Sequence, residues 1–594
     1  MPQGKRKVPF SAKQKKMQLQ QKRDRKAATN DQTIIPSLTS QKSSSVEIDV
    51  INEQPATSSK HNPNRYRLVF KREKNEDIKQ RLTLAKDPFD PVPENELEVA
   101  YEDVFTHTTD LDMPKRPKWK SSVSKEQLEA NEHKYFRVYM HQLEEKFGED
   151  KLSHYEMNLE TWRQLWRVIE FSDIVLQVAD IRYSVYHFSP CLYEYVTKEL
   201  NKNMILVLNK IDLVPAPLVL AWQEYFKKHF PMLKVMCFAS YAGMIVKEGK
   251  QGKRLGNLHM AIAGARQLLK LCEEIVEDKV DLSSWKEKIN EESAQIGSGG
   301  DFFIDSDSDI ESDGGGKTSK GREIIRQQND TSYFEGELYR DNVLTIGFVG
   351  HPNVGKSSFL NAVCGKKLVS VSRTPGHTKH FQTIMLTKNV TLCDCPGLVF
   401  PSLVPKPIQV LMGCYPIAQL REPYSAIAFL GQRMSLPNIL KLRHPELESF
   451  EKGEEIRWSS YDICEAWAMK RGFRTAKAAR PDVYRAANNI LRMALDGRSL
   501  CMAFYPPNYT KEKAMWASHP NLNEIIAIQA HRQKRDDTNR DLCADFNAVR
   551  VSEDDDCETE TEEDDSRNDE ADSEDSADAP AANKFGLLGG EIDC

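Results

Sequence analysis

The chain has 594 residues, of which 40% are hydrophobic and 29% charged, with a formal net charge of −6. That length exceeds a single hydrophobic core, and the low apolar share predicts folded units carrying polar extensions. No apolar run is long enough to span a membrane and no apolar h-region opens the sequence, so neither a membrane protein nor a secretory signal is expected.

The charge is strongly polarised. Residues 5–26 hold ten Lys or Arg against one Asp. Residues 1–60 therefore read as a disordered basic arm, a pattern that suits nuclear import and sequence-independent contact with RNA phosphates. Residues 61–155 form a charged N-terminal extension with isolated aromatic anchors. Its helical stretch begins at Ser124, with Gln127 in the position of a capping box. No function is legible in it.

A globular pattern starts near residue 159, where Leu159, Trp162, Leu165, Trp166 and Ile169 give a helix one wide apolar face. Strands follow at 173–179, 204–208 and 234–239, the first ending in Asp180, with helices at 191–200 and 219–229 between them. Strands alternating with helices predict a parallel α/β sheet, and such sheets gather ligands at the carboxyl ends of their strands. The second strand runs straight into Asn209-Lys210-Ile211-Asp212. There a carboxylate on Asp212 would accept from both N1–H and the 2-amino group of guanine, donors that adenine lacks at those positions. Asn209 would bond the other edge of the base, and Lys210 would lie across its ring. Alone the pattern is better read as an ordinary polar turn; a phosphate loop in the same chain is what favours guanine recognition.

A helix is expected over 265–280. Beyond it an acidic, glycine-rich linker insertion is expected at about 285–335, where Ser306, Ser308 and Ser312 stand among acids and suit acid-directed phosphorylation. Residues 343–349 then read as a buried strand. They lead into Gly350, Asn353, Val354, Gly355, Lys356, Ser357 and Ser358, a G-x-x-x-x-G-K-S loop that opens a helix. Backbone N–H groups in such a loop turn inward on phosphate at a helix N-terminus that already favours anions. Lys356 would bridge the β- and γ-phosphates and Ser357 would hold Mg²⁺. Thr378, with Thr374 as the alternative, is the candidate switch hydroxyl for metal and γ-phosphate. Two adjacent strands, 381–386 and 390–393, lead to Asp394-Cys395-Pro396-Gly397. Asp394 would hold Mg²⁺ through water, and the Gly397 N–H would sense the γ-phosphate. Cys393 and Cys395 flank Asp394 at strand spacing and read as packed thiols. The other cysteines form no C-x-x-C pairs, so a reducing compartment is expected.

Residues 409–412 and 417–430 are expected to pack against the sheet. Tyr461 to Arg471 and Arg480 to Leu495 then read as two helices joined by a basic turn. Lys470, Arg471, Arg474, Lys477, Arg480, Arg485 and Arg492 make them either a solvated face or an RNA-facing one. Residues 551–580 hold sixteen Asp or Glu against one Arg, so a disordered acidic tail closes the chain.

The base-recognition motif thus precedes the phosphate loop, the reverse of the order in small GTPases. A closed sheet can be reopened at a surface loop without changing its core, which makes such an arrangement feasible. With DIVLQVADIR, VLNKID, GHPNVGKSS, RTPGHTKHFQT and LCDCPGL in this order, the chain resembles the YlqF/YawG family of circularly permuted GTPases. The resemblance implies an α/β, mostly parallel P-loop GTPase domain at 156–420, a helical C-terminal domain at 421–520, and disordered charged tails, the acidic one at 545–594. It implies GTP and GDP as ligands, Mg²⁺ as cofactor, and Lys356, Thr378 and Gly397 as the catalytic set. Ser240 is carried over to the base site. Relatives assist ribosomal subunit assembly, which implies a switch on a pre-ribosomal or other ribonucleoprotein particle, in the nucleus or nucleolus with shuttling to the cytoplasm. Acidic segments offer docking to protein partners.

One departure from ordinary GTPases concerns hydrolysis. Leu398 stands where small GTPases carry a glutamine that orients the attacking water, so a slow intrinsic rate is expected. Asn353 resembles the asparagine of potassium-activated GTPases, which makes K⁺ a candidate activator, and His377 and His380 are candidates for approaching the water. The rival reading is a GTP-binding scaffold with negligible turnover.

Overall fold

A computed structural model describes residues 49–52 and 68–529, apart from 72, 106–112, 120–122, 149–150, 240–249, 298–337, 367, 373–374, 377, 379–380, 447–455 and 476–478. Seven strands form one sheet: β1 (Asp49–Asn52), β2 (Ile174–Asp180), β3 (Asn203–Asn209), β4 (Leu233–Cys237), β5 (Leu344–Val349), β6 (Gln382–Thr387) and β7 (Val390–Asp394). Their order is β1-β6-β7-β5-β2-β3-β4. Pairing is parallel from β7 through β4, whereas β6 runs antiparallel to both of its neighbours. β1 lies within the stretch read as a disordered basic arm, and corrects that reading for four residues by covering the edge of β6.

Parallel strands buried on both faces need apolar residues at every position, and β2 supplies them. Val175 and Ala179 enter the core on one face, and Ile174, Leu176 and Val178 enter the core on the other. Gln177 and the terminal Asp180 are the polar exceptions, and the Gln177 amide donates to the His187 carbonyl at 2.9 Å. Helices Leu159–Phe171 and Ala216–His229 cover the first face through Trp162, Leu165, Trp222 and Phe226. Helices Lys250–Val276, Ser283–Gly297 and Lys356–Cys364 cover the second, with Leu268, Trp285, Ile289 and Phe359 buried.

The helix Ser283–Gly297 corrects the expected start of the linker at about 285. Two apolar residues one turn apart, Trp285 and Ile289, anchor it among Lys and Glu, and Lys288 Nζ donates to the Cys364 carbonyl at 3.0 Å. So few apolar positions in so charged a stretch give little periodic signal. The acidic run with Ser306, Ser308 and Ser312 lies outside the described residues, as does the acidic tail.

Downstream, helices Tyr424–Arg433, Ser460–Arg471, Val483–Asp496 and Tyr509–Ala517 bury Ile427, Leu430, Ile463 and Ile490 in the same apolar cluster as Trp162 and Trp222. Trp222 Nε1 donates to the Phe504 carbonyl at 3.1 Å, so this helical region and the sheet share one core. The N-terminal extension acts as a strap over both. The Val99 N–H donates to the Tyr505 carbonyl at 2.9 Å, the Tyr101 N–H donates to the Tyr225 hydroxyl at 2.9 Å, and the Glu98 carboxylate accepts from the N–H groups of Asn508 and Thr510. Among the described residues, no helix is long and apolar enough to cross a membrane.

Glu156 fastens the strap to the stretch after Gly397. Its N–H donates to the Val399 carbonyl at 3.0 Å, and its Oε1 accepts from the N–H groups of Val69 (3.1 Å) and Asn158 (2.8 Å). Oε2 is buried and has no hydrogen-bond partner among the described residues. Burial pushes the carboxyl up to about 7, against the backbone N–H groups that hold it down. The folded state therefore binds this proton more tightly than the unfolded chain. The associated stability is fully present below about pH 4 and is lost as pH rises through about 7. Glu156→Gln, which is neutral at every pH, is expected to stabilise the fold by about 2 kcal/mol at pH 8 and by little at pH 4. Urea unfolding at both pH values measures this, and an equal gain at both would contradict it.

Candidate functional site

The phosphate loop joins β5 to the helix Lys356–Cys364 at the carboxyl end of the sheet. Gly350 lies at φ 142°, and a Cβ there would sit 2.6 Å from the Val178 carbonyl oxygen, so the loop can leave β5 this close to β2 only at glycine. Val354 is fully buried in the second core and pins the loop from beneath. Lys356 Nζ donates to the carbonyls of Gly350 (3.1 Å) and His351 (2.7 Å). Burial pushes this ammonium's pKa down, and the Asp394 carboxylate pushes it back up.

Asp394, at the end of β7, meets the first turn of that helix directly at its second residue, Ser357. Ser357 Oγ donates to Asp394 Oδ2 at 2.9 Å, and Asp394 Oδ1 is buried with no hydrogen-bond partner among the described residues. Burial pushes the Asp394 carboxyl up to about 6, opposed by the Lys356 charge and the Ser357 hydrogen bond. A hydroxyl and a carboxylate in contact, with one carboxylate oxygen left over, form a hard oxygen donor set of the kind Mg²⁺ takes alongside phosphates. Gly397 packs against the loop. A Cβ on it would lie 2.7 Å from Pro352 Cα and 3.1 Å from Lys356 Nζ, so its backbone reaches the phosphate side only without a side chain. The Leu398 N–H donates to the Gly350 carbonyl at 3.2 Å, while its side chain is buried in the apolar core.

The base-recognition motif meets the same loop from β3. Asn209 Nδ2 donates to the Val354 carbonyl at 2.7 Å, and Lys210 Nζ donates to the Asn353 carbonyl at 2.8 Å. Asp212 follows within the short turn Ile211–Leu213, whose conformation begins at Lys210 with φ 59°. Residues 141 positions apart in sequence, Asn209 and Gly350, thus belong to one site. Ser358 lies in the first turn of the loop's helix. Thr378 lies in the loop before β6, and no hydrogen bond ties its hydroxyl to Ser357 or Asp394 among the described residues. Ser240, Thr374, His377 and His380 lie outside the described residues.

Several contributors carry no local sequence signal. Gln529 Nε2 donates to the carbonyls of Ile211 (2.6 Å) and Val214 (3.0 Å), and Cys501 Sγ lies 3.2 Å from the Leu213 carbonyl it donates to, so the C-terminal segment braces the base-recognition turn. Asn353 Nδ2 donates to the Gly413 carbonyl at 2.9 Å. His351, in the loop itself, is buried with its ring centroid 5.1 Å from that of His187. Burial pushes both imidazoles far below their ordinary pKa, so both are neutral at physiological pH.

Residues 345–419 match the family described as 50S ribosome-binding GTPase. Guanine nucleotide-binding protein-like 1 from Homo sapiens is 44% identical over 563 residues, covering 88% of this chain and 89% of its own length, and the Mus musculus protein of that name is 44% identical over 561. The chain belongs to the guanine nucleotide-binding protein-like 1 family. GTPase LSG1-1 from Arabidopsis thaliana is 29% identical over 68% of this chain and 70% of its own. A solved GNP-bound structure of YlqF from T. maritima aligns over 59% of this chain and 98% of its own at 17% identity and a TM-score of 0.30.

As a member of that family the protein is a GTP-binding GTPase with a circularly permuted G domain, and the sheet order gives the permutation its physical form. β5, which carries the phosphate loop, lies between β7, which carries Asp394, and β2, with β3 and its guanine motif next along. Moving β2 to β4 ahead of β5 in sequence leaves that neighbourhood unchanged. Ser357 and Asp394 are the residues that would hold Mg²⁺, which would supply charge neutralisation at the phosphates. Lys356 is positioned to exchange its two carbonyl partners for phosphate oxygens, and the loop amides supply further donors. Leu398 contributes no group that could orient a water molecule.

Proposed function

We propose that this protein is a slow, Mg²⁺-dependent GTPase switch whose turnover is completed by a partner, and that the partner is a pre-ribosomal or other ribonucleoprotein particle. The observation that carries this reading is the burial of Leu398 beside the phosphate loop and the Ser357–Asp394 pair. Phosphate, metal and base each have candidate residues in Lys356, the Ser357–Asp394 pair and Asp212, whereas the attacking water has none at the Leu398 position. A particle that supplies the missing group would couple hydrolysis to its own state. Asn353 is the candidate residue for placing K⁺ beside the phosphates.

Three features support an RNA-bearing partner. The arm at residues 5–26 is densely basic. Lys470, Arg471, Arg474, Arg480, Arg485 and Arg492 are all exposed on the helical region, and Arg471 and Arg485 lie over the rings of Trp467 and Phe473 at 5.6 and 4.8 Å. The family description matched by residues 345–419 names 50S ribosome binding. Phosphate contacts of this kind give an affinity that falls steeply with salt. The reading carries a nuclear or nucleolar location with it.

The test is capture by the full-length protein loaded with a non-hydrolysable GTP analogue, followed by sequencing of bound RNA and identification of bound proteins. Ribosomal RNA precursors and ribosomal proteins, enriched over the GDP-loaded control, are the expected result. Capture of proteins alone, equal in both nucleotide states, supports the second reading of a GTP-binding scaffold, which Leu398 also suits.

A further inference from the structure

Lys210 has a second tether besides the phosphate loop. Its Nζ lies 2.9 Å from Asp180 Oδ2, at the carboxyl end of β2. Asp180 is in register with Asn209 across the β2–β3 pair, so the adjoining strand presents its carboxylate beside the base-recognition motif. That carboxylate is itself fixed. Arg182 Nε donates to Oδ1 at 3.1 Å and Arg182 Nη2 to Oδ2 at 2.8 Å, and the Arg182 N–H donates to Oδ1 at 3.1 Å. Arg182 in turn donates to the carbonyls of Ala494 (2.8 Å) and Leu495 (3.0 Å), at the end of the helix Val483–Asp496. Asp180 and Arg182 are 2% and 1% exposed, so the carboxylate has no freedom to rotate away.

We infer that Asp180 is a positioning residue for guanine nucleotide binding: it holds the Lys210 ammonium so that the lysine stem is set flat across the face where the base stacks. Lys210 brings a third charge to this pair. Asp180 and Arg182 already satisfy one another as a bidentate pair, and such a pair is complete without a second cation. Lys210 is also partly exposed, and a flexible lysine stem held at one end only by a neutral carbonyl keeps much of its rotamer freedom. Anchoring Nζ between the Asp180 carboxylate and the Asn353 carbonyl removes that freedom before nucleotide arrives. Burial alone would push the Asp180 carboxyl up, but the Arg182 and Lys210 charges outweigh it and hold it well below the usual carboxylate range, so the anchor stays anionic.

A single Asp180→Asn change strands Arg182 as a buried unpaired cation and endangers folding. The double variant Asp180→Asn/Arg182→Gln removes both charges together. In the full-length protein with Mg²⁺, it is expected to bind fluorescent GTP and GDP analogues about tenfold more weakly, with kcat at saturating GTP unchanged. Lys210→Ala alone should also weaken both ligands. Adding the double variant to Lys210→Ala should then cost no further affinity, because the residue Asp180 acts through is gone. A purely structural role predicts the opposite: the same tenfold loss with or without Lys210. That additive result overturns the inference, as does unchanged affinity in the double variant, and a Lys210→Ala protein that binds normally overturns the base role of Lys210 together with it.

Discussion

Asp212→Asn is expected to weaken GTP binding by about a hundredfold or more and to raise affinity for xanthosine triphosphate over the wild-type value. The reasoning is a match of donors and acceptors. A carboxylate accepts from both N1–H and the 2-amino group of guanine, while an asparagine presents one acceptor and one donor. Guanine then meets its 2-amino group with a second donor, whereas the 2-oxo group of xanthine finds a partner. The turn itself should not move. It is held by Gln529 and Cys501 at the carbonyls of Ile211, Leu213 and Val214, and by Lys210 on the phosphate loop. Competition of GTP, XTP and ATP against a fluorescent guanine nucleotide measures the change. An unaltered GTP-to-XTP ratio would remove Asp212 from base recognition.

Lys356→Ala is expected to lower kcat/KM for GTP by about a thousandfold, with a larger effect on kcat than on KM. The ammonium is buried between the Gly350 and His351 carbonyls and Asp394, where its charge acts through little screening. It matters most where charge develops, between the β- and γ-phosphates. Arginine should not rescue, because Gly397 already leaves only 3.1 Å between its own absent Cβ and Lys356 Nζ. Single-turnover hydrolysis with the Lys356→Ala and Lys356→Arg proteins would show this. A fall confined to KM would mean that the lysine binds nucleotide without stabilising the transition state.

Elements whose geometry is set locally were legible from the residues alone. Gly350 and Gly355 punctuate the phosphate loop because no other residue takes those backbone angles easily, and the buried strands β2, β3 and β5 stand out as continuous apolar runs. The helix read over Tyr461 to Arg471 is present as Ser460–Arg471, and in the structure the Ser459–Asp462 capping box fixes its start. What stayed hidden depends on partners far away in sequence. Asp180 was visible at the end of its strand, but its pairing with Lys210 follows from the β2–β3 register. Gln529 reaches Ile211 across 318 residues, and Glu98 reaches Thr510 across 412, so neither has a periodic pattern to betray it. The extension at 61–155 is held by scattered buried residues such as Leu97, Val104 and Phe136, by backbone donors and by Glu98, a mixture that composition alone reads as solvated charge.

Within the site the same division separates binding from hydrolysis. The candidate binding groups stand in short motifs at strand ends, and the fold brings these motifs together although Asn209 and Lys210 come first in sequence. Hydrolysis needs a group aimed at a water molecule, and Leu398 is instead part of the core. Steady-state GTP turnover by the full-length protein, measured with and without purified pre-ribosomal particles in K⁺ and again in Na⁺, tests this most directly. A low basal rate that rises at least about tenfold with particles is the predicted result. A rate that stays flat with particles and with both cations would contradict the account of a partner-completed GTPase.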